Sequence, residues 1–236
     1  MDMQPFIFKK VDNNDSELLQ KVYHLRFEVY GNECNFINEN DYPAGMEIDD
    51  YDKQSIHFAA MDSQQNLIGT MRMILPGELE LPIKLHCRDV DITTPDKSVE
   101  ISRLVISKRL RRRHDDGMYY GPQSEDKKGV SSDGTEFLRR AKPMAFGLYR
   151  ELYRESKRLG ITQWYALMEK SLWLLLRIHG FEFEPIGKEV DVYGPVKPYI
   201  GEISKIEKEV YQKFPKFFAY FTEELNREHL PNFCVI

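Results

Sequence analysis

Apolar and polar residues alternate most clearly over residues 99–107, where the sequence VEISRLVIS is rich in β-branched residues. This composition and the period of two predict a strand. Alternation places Glu100 and Ser102 on one face and Arg103 on the other. Such an apolar strand is typical of the interior of a sheet, where a charge is costly unless it is paired. We therefore expect Glu100 and Arg103 to line a polar cavity or to belong to a buried ion network.

The same reading of periodicity predicts the other elements of the chain. Strands are expected over residues 5–11, 55–61, 67–75, 161–168, 181–186 and 189–200. Helices are expected over residues 15–30 (stopping at Gly31), 143–159, 170–179 and 203–226, the last broken near Pro215. This order predicts an α/β (α+β) protein with a mixed sheet flanked by helices. We assign one domain to residues 1–202 and a C-terminal helical extension, packed on the same domain, to residues 203–236.

Composition narrows the class of protein. The 236 residues are 42% hydrophobic and 30% charged, which is typical of a folded domain with a substantial core. The formal net charge of -5 argues against a general nucleic-acid binder, because phosphate binding needs surplus cations. Cys34, Cys87 and Cys234 form no CxxC pair, so we interpret them as reduced thiols of a cytoplasmic protein. No signal peptide is expected, because the N-terminal residues lack a long apolar stretch. No membrane span is expected, since no apolar run approaches about 18 residues.

Residues 31–54 form a long acidic segment between two predicted elements. Its apolar residues favour an ordered loop that covers a substrate. These anchors are Phe36, Tyr42, Met46 and Tyr51. Its carboxylates are Glu47, Asp49, Asp50 and Asp52. No metal site is expected here, because the glycine and the final glutamate of a calcium-binding EF-hand loop do not stand at the required spacing.

Two arginines lie on predicted elements on either side of this segment. Arg26 is on the first helix, where the usual interpretation is a solvated cation. Arg72 shares a face of its strand with apolar residues, so it is either an edge cation or a clamp for a carboxylate. Either arginine could hold the carboxylate of a substrate. They could also pair with Asp49 and Asp52 and pin the loop, and the two interpretations are compatible.

Three segments together resemble a known group of enzymes. They are LRFEVYGNECNF, MEIDDYD followed by IGTMRMILP, and VEISRLVIS. Their order and spacing resemble the acyl-homoserine-lactone synthases and the FeeM-like N-acyl amino acid synthases of the GNAT-like acyltransferase superfamily. The chain looks most similar to the acyltransferases associated with the PEP-CTERM/exosortase system, a FeeM-like group. The resemblance covers about residues 15–200 and implies a GNAT-like fold.

The resemblance also implies roles for individual residues. It places Glu100, Ser102 and Arg103 in the catalytic set, with Glu100 as the candidate general base. It assigns substrate binding to Arg26, Tyr30, Phe36, Asp49, Asp52 and Arg72. The lactone synthases usually carry phenylalanine at the position of Tyr30 and tryptophan at that of Phe36, and both departures disfavour S-adenosylmethionine as the substrate.

The binding site and the kind of acyl donor are predicted from the end of the strand expected over residues 99–107. In the GNAT-like fold the oxyanion donor is a backbone N–H at a bulge, here expected around Val105–Ser107. The Gly-rich phosphate loop is not clearly present over Lys108–Gly117, which favours an acyl carrier protein over coenzyme A. Binding of the donor is assigned to Val105, Ser107, Lys108, Arg109, Arg111, Arg112 and Arg113. The five cations fit the acidic surface of a carrier protein.

These inferences predict an N-acyltransferase that moves a long-chain fatty acyl group from acyl carrier protein, or acyl-CoA, to the α-amine of an amino acid. No metal and no tightly bound cofactor are expected. One alternative is an acyl-homoserine-lactone synthase that uses S-adenosylmethionine. A second is a non-catalytic module that binds acyl groups or carrier proteins. Five apolar residues either belong to the core or line an acyl tunnel. They are Trp164, Leu167, Trp173, Leu174 and Leu175.

Overall fold

A computed structural model of the chain describes residues 6–92, 94–107 and 142–234. The strands are β1 Ile7–Lys10, β2 Ser55–Met61, β3 Leu67–Ile74, β4 Ser98–Ile106, β5 Gln163–Met168, β6 Glu184–Pro185, β7 Val190–Asp191 and β8 Pro195–Glu202. The α-helices are α1 Ser16–Phe27, α2 Pro82–His86, α3 Lys142–Arg158, α4 Lys170–Arg177, α5 Ile203–Lys213 and α6 Pro215–Thr222. None of the helices within these ranges is both long enough and apolar enough to cross a bilayer.

The strands pair in the order β1-β2-β3-β4-β5-β8-β6, and β7 pairs with β8. β1 and β2 are antiparallel, β4 and β5 are parallel, and β5 and β8 are antiparallel. The sheet is therefore mixed, as the sequence predicts. The predicted break in the last helix is also confirmed, since α5 ends at Lys213 and α6 begins at Pro215, which lacks the N–H that a continuing helix needs.

β4 and β5 are paired over only part of their length. The paired residues are Ser98 with Gln163, Val99 with Trp164, and Glu100 with Tyr165. β4 nevertheless continues to Ile106 and β5 to Met168. β5 remains paired with β8 as far as Met168. The parallel pairing of β4 with β5 ends at Glu100.

The described residues divide into two compact units. Unit one contains residues 6–48, 57–71, 103–107 and 142–149, and unit two contains residues 49–56, 72–92, 94–102 and 150–234. In unit one, the Asp15 side chain caps α1 by accepting from the N–H of Leu18 at 3.0 Å. The helix then buries Leu18 and Val22 against β1, β2 and their flanking residues, among them Val11, Ala59 and Met61.

Unit two contains the residues over which β4 and β5 are paired and the C-terminal helices. One of its apolar clusters contains the buried residues Ile74, Leu81, Ile83, Val90 and Tyr165. The C-terminal helices pack through aromatic side chains, with the rings of Phe181 and Phe221 5.2 Å apart. The hydroxyl of Tyr153 on α3 donates to Glu207 on α5 at 2.9 Å. The boundary at residue 202 stays a prediction.

Several predicted elements differ from those observed, and two of these differences have a local cause. The helix expected to run to Tyr30 ends at Phe27 and continues as a π-helix over Glu28–Glu33. The strand expected over residues 189–200 is two strands, because the chain turns between Asp191 and Pro195. Tyr193 and Gly194 adopt φ angles of +58° and +113° there, and the N–H of Gly194 donates to the Asp191 side chain at 3.1 Å. Period-two alternation does not reveal a turn this short.

Candidate active site

The first charged cluster lies in unit one and consists of Arg26, Glu47 and Arg103. Arg26 on α1 is fully buried, and its guanidinium donates to and ion-pairs with Oε2 of the equally buried Glu47. Nη2 of Arg103 donates to Oε1 of Glu47 at 2.8 Å. The prediction of a solvated Arg26 is therefore wrong. A fully buried guanidinium is tolerated here because a carboxylate is bonded to it.

Electrostatics keep Glu47 ionised. Burial on its own would raise the pKa of this carboxyl group, but the guanidinium groups of Arg103 and Arg26, with their hydrogen bonds, outweigh burial and hold the pKa below its ordinary value. Two guanidinium groups then face one carboxylate, so the three side chains carry excess positive charge. Arg103 is the most accessible of them, with 17% of its side chain exposed.

Aromatic rings surround this cluster. The guanidinium carbon of Arg103 lies 5.4 Å from the centre of the Tyr30 ring, and that of Arg26 lies 5.4 Å from the Tyr23 ring. The rings of Tyr30 and Phe36 are 6.1 Å apart. These distances allow cation–π attraction. Four residues that the sequence singled out, Arg26, Tyr30, Phe36 and Arg103, are thus brought together in unit one.

The backbone of β4 is irregular at Arg103, whose φ angle is +53°. A left-handed conformation is uncommon for a residue other than glycine and carries strain, which clusters at functional sites. The irregularity was expected two to four residues later, around Val105–Ser107. There, the N–H of Ser107 donates to the carbonyl of Ile68 at 2.8 Å, and Val105 is buried against Leu25 and Val29. The N–H of Ser107 is therefore already committed and is not the oxyanion donor.

The second charged cluster lies in unit two and consists of Arg72, Asp49, Asp52 and Ser102. Nη1 of Arg72 donates to Asp49 at 2.6 Å and to Asp52 at 2.9 Å, and Nε donates to the Ser102 hydroxyl at 3.0 Å. The two aspartates also cap the 3₁₀-helix Asp50–Gln54, with the N–H of Asp49 donating to Asp52 at 2.8 Å. Of the two predicted uses of Arg72, pairing with the loop aspartates is the one that the structure confirms.

Glu100 lies where β4 and β5 begin to part. It is 3% exposed, and its Oε2 accepts from the N–H of Ile83 at 2.7 Å. Because Glu100 and Tyr165 are paired residues, their side chains lie on the same face of the two strands. The apolar cluster that contains Ile83 and Tyr165 covers that face. Glu100 is thus a carboxylate in mostly apolar surroundings, as expected of a general base and equally of a structural acid.

Two weak acids lie close to Glu100. Burial raises the pKa of Tyr51, and the negative charges of Glu100 and Asp49 raise it further. Burial likewise raises the pKa of the Cys87 thiol, helped by Glu100 and Asp89. Both groups therefore stay protonated at neutral pH. Neither is activated as a nucleophile, which favours direct transfer over an acyl-enzyme.

Sequence reasoning missed the role of Glu47 and treated it only as one carboxylate of an acidic segment. No local pattern identifies this pairing, because Glu47 lies 21 positions after Arg26 and other acids, among them Glu28, Glu33 and Glu39, are nearer in the sequence.

Other predictions have mixed outcomes. Leu174 is 42% exposed, whereas Trp164 is fully buried and donates from its ring to Ser156 at 3.0 Å. Trp164 therefore belongs to the core, and Leu174 lies at the surface. The predicted donor-binding cations Lys108, Arg109, Arg111, Arg112 and Arg113 lie outside the described residues. Within residues 6–92, 94–107 and 142–234, no three or more His, Cys, Asp or Glu side chains are grouped to hold a metal ion.

Comparisons with known proteins bear on the fold. Residues 25–119 match the family model of the acetyltransferase (GNAT) domain. No curated protein matches the sequence significantly. The acyl-homoserine-lactone synthase LasI has a similar structure, with a TM-score of 0.60, 16% identity, and coverage of 89% of this chain and 96% of LasI.

Two further solved structures are similar. BjaI, a CoA-dependent acyl-homoserine-lactone synthase solved with SAM and isopentyl-CoA, has a TM-score of 0.62 at 14% identity, covering 94% of this chain and 90% of BjaI. FeeM, an N-acyl amino acid synthase from uncultured soil microbes, has a TM-score of 0.52 at 10% identity, covering 89% of this chain and 97% of FeeM. The mixed sheet, its flanking helices and these likenesses establish a GNAT-like fold.

Proposed function

We propose that the protein is an N-acyltransferase that moves a long-chain fatty acyl group from a thioester to the α-amine of an amino acid. The observation that carries this proposal is the parting of β4 and β5 directly after Glu100. Peptide groups that no longer bond across the two strands can bond instead to the extended arm of a thioester. A buried carboxylate stands at the point where that arm would end.

Glu100 is the proposed general base. The α-ammonium group of the acceptor passes a proton to its carboxylate, and the neutral nitrogen attacks the thioester carbonyl. As the tetrahedral intermediate collapses, the C–S bond breaks, the amide forms, and the thiolate takes up a proton.

The two charged clusters support this chemistry in different ways. Arg72, with Asp49 and Asp52, holds the acidic segment in place and orients the hydroxyl of Ser102. In unit one, Glu47 fixes Arg26 and Arg103. We assign to Arg103 the recognition of an anionic group on a substrate, because a guanidinium group suits such a ligand and Arg103 is the accessible member of this cluster. Tyr30 and Phe36 form the aromatic support beside it.

The donor is proposed to be an acyl carrier protein. The support is the resemblance and the cationic segment Lys108, Arg109, Arg111, Arg112 and Arg113. Carrier proteins are acidic, and a cluster of cations accelerates and orients such an encounter. Acyl-CoA remains the donor to compare, since BjaI is CoA-dependent. A link to the exosortase system rests on resemblance alone and is tested by the neighbouring genes.

Mass spectrometry of lipid extracts from cells that overproduce the protein tests the reaction. The variants are Glu100→Gln, which keeps an acceptor for the Ile83 N–H while removing the base, and Arg103→Ala. Exposed Glu78→Gln is the matched control. A new N-acyl amino acid that disappears in the two variants and persists in the control supports the proposal.

Other products separate the alternatives. Acyl-homoserine lactone together with methylthioadenosine identifies a lactone synthase. The purified protein is then supplied with acyl carrier protein from the source organism, or with acyl-CoA, and a mixture of amino acids. Absence of any acylated amine from both donors contradicts the proposed function and leaves the binding-module alternative.

A further inference from the structure

The exposed side of α4 in unit two is a surface that the proposed function does not use. Leu174 and Ile178 lie four positions apart, and the N–H of Ile178 donates to the carbonyl of Leu174 at 3.1 Å, so their side chains are neighbours on one side of the helix. They are 42% and 59% exposed, whereas Leu172, Leu175 and Leu176 are buried. The helix thus buries one apolar side against the protein and leaves a second aliphatic pair in solvent.

Two cations share this exposed side. Lys170 lies four positions before Leu174, and Arg177 lies four positions after the partly exposed Trp173. The guanidinium carbon of Arg177 is 5.1 Å from the centre of the Trp173 ring. Both cations are exposed, and within residues 6–92, 94–107 and 142–234 neither forms an ion pair. α4 itself contains no acidic residue.

The exposed side continues from Ile178 to the junction of α5 and α6. The ring of His179 stacks on that of Phe214 at 6.4 Å and lies 6.2 Å from that of Phe217, and both phenylalanines are partly exposed. Lys216 stands between them in the sequence. It is exposed and has no ion-pair partner among the described residues. A third uncompensated cation is thus added beyond the end of α4.

The acids that border this side already have partners. Lys213, which precedes Phe214, pairs with Glu209 at 2.5 Å and with Glu182 at 4.0 Å. Glu169, directly before α4, accepts from the Ser171 hydroxyl at 3.3 Å and is half-buried. The three cations named above therefore keep their attraction for an anion outside the protein.

We propose that this surface docks on an anionic lipid bilayer. We call it the docking surface, and its members are Lys170, Trp173, Leu174, Arg177, Ile178 and Lys216. Aliphatic side chains beside cations and a tryptophan are the composition of helices that lie in a membrane interface. Its cations lie toward both ends of α4 with Leu174 between them, and a continuous layer of anionic headgroups complements both ends at once.

The inference goes beyond the proposed function and does not depend on it. The two are nevertheless compatible, because a long-chain N-acyl amino acid is an amphiphile, and each buried CH₂ group of its chain favours the bilayer. A protein docked through α4 would release such a product directly at the membrane.

Flotation of the purified full chain with vesicles tests the proposal. One set of vesicles contains equal parts of phosphatidylcholine and phosphatidylglycerol, and the other contains phosphatidylcholine alone. We expect the wild type to float with the anionic vesicles, to remain below with the neutral ones, and to bind less at high salt. Lys170→Gln/Arg177→Gln should weaken binding by about tenfold or more, since each cation near an anionic surface contributes about fivefold. Leu174→Ser/Ile178→Ser should weaken it by a similar factor, because less apolar surface enters the bilayer.

Matched controls lie at the opposite end of β5. The carbonyl of Lys97 accepts from the N–H of Thr162 just before β5, whereas α4 follows the end of that strand. Lys97 is exposed and Leu159 is 47% exposed. Lys97→Gln and Leu159→Ser remove the same kinds of group and should leave vesicle binding unchanged.

A second measurement locates the contact without altering the surface. Lipids brominated along their acyl chains should quench the fluorescence of the wild type in anionic vesicles. Trp173→Phe should abolish this quenching, because the other tryptophan, Trp164, is fully buried.

The outcomes separate this inference from the proposed function. Absence of binding to anionic vesicles, or equal binding by the docking-surface variants and the controls, overturns the inference. It is also overturned if vesicles do not bind and the docking-surface variants slow turnover with an acyl carrier protein donor but not with acyl-CoA, which would assign the surface to a protein partner. Failure to acylate any amine contradicts the proposed function alone and leaves vesicle binding to be judged by itself.

Discussion

Nη2 of Arg103 lies 2.8 Å from Oε1 of Glu47, and the Glu47 side chain is only 1% exposed. Arg26 bonds to the other carboxylate oxygen of the same residue. One acid from the segment before β2 thus joins the end of α1 to the irregular part of β4. The local architecture of unit one depends on this carboxylate being present and ionised.

Glu47→Gln should therefore destabilise the protein strongly. The substitution removes an ionised partner of the buried guanidinium of Arg26, and breaking such a pair from one side costs about 3–5 kcal/mol. Urea unfolding of the variant and the wild type measures the difference. Glu17→Gln breaks the exposed pair with Lys21 and should cost at most about 1 kcal/mol. Equal losses in the two variants would show that Glu47 and its arginines contribute no more than a surface pair.

The stability that Glu47 contributes should also depend on pH. Its pKa is lowered on folding from an ordinary value of 4.5. As the pH falls, the unfolded chain therefore binds a proton at Glu47 before the folded chain does. The stability that ionised Glu47 contributes is complete above the pKa of the unfolded chain. It is lost as the pH falls through the folded pKa. The unfolding free energies of wild type and Glu47→Gln should differ most near pH 7, and the difference should shrink as the pH falls below 4.5. A difference that stays constant over this range contradicts the predicted titration.

The close packing of Gly147 against Phe8 leads to a different prediction. A Cβ atom added at Gly147 on α3 would lie 2.2 Å from the ring of Phe8 on β1. Gly147→Ala forces the ring or the strand to shift, and overpacking of this kind costs about 1–3 kcal/mol in spite of the better helix propensity of alanine. The double variant Gly147→Ala/Phe8→Leu should lose less stability than the sum of the single variants. Additive losses would locate the strain elsewhere.

The sequence predicts most elements of this fold because their signals are local. β2 begins and ends where expected, β4 differs by one residue at each end, and Pro215 marks the break between α5 and α6. The partners of the charged residues are a tertiary property. The sequence predicts that the Arg26 side chain is solvated. Only the tertiary fold brings it together with Glu47, which lies 21 positions away in the sequence. The left-handed backbone at Arg103 likewise has no signature, since its neighbours alternate regularly.

Ser102 shows the same limit for the candidate site. Its place beside Glu100 and Arg103 suggests a catalytic hydroxyl, and the structure shows this hydroxyl accepting from Nε of Arg72 at 3.0 Å. The sequence could identify the residue and not its partner. Whether Ser102 contacts substrate remains a prediction, while its contact with Arg72 makes it part of the support for the acidic segment.

Arg72→Lys is the sharpest test of that support. Arg72 bonds to Asp49, Asp52 and Ser102 through two different nitrogens of one planar group, and an ammonium cannot reproduce this geometry although it keeps the charge. We expect faster limited proteolysis near residues 50–54 and a loss of N-acyl product. Both effects should appear although the variant keeps the Asp49 and Asp52 side chains. Arg158→Lys, at a half-exposed pair with Glu155 on α3, is the control and should change neither readout. If Arg72→Lys behaves like this control, charge alone holds the segment. The three directed hydrogen bonds would then be unnecessary for the site, and Ser102 would need another explanation for its orientation.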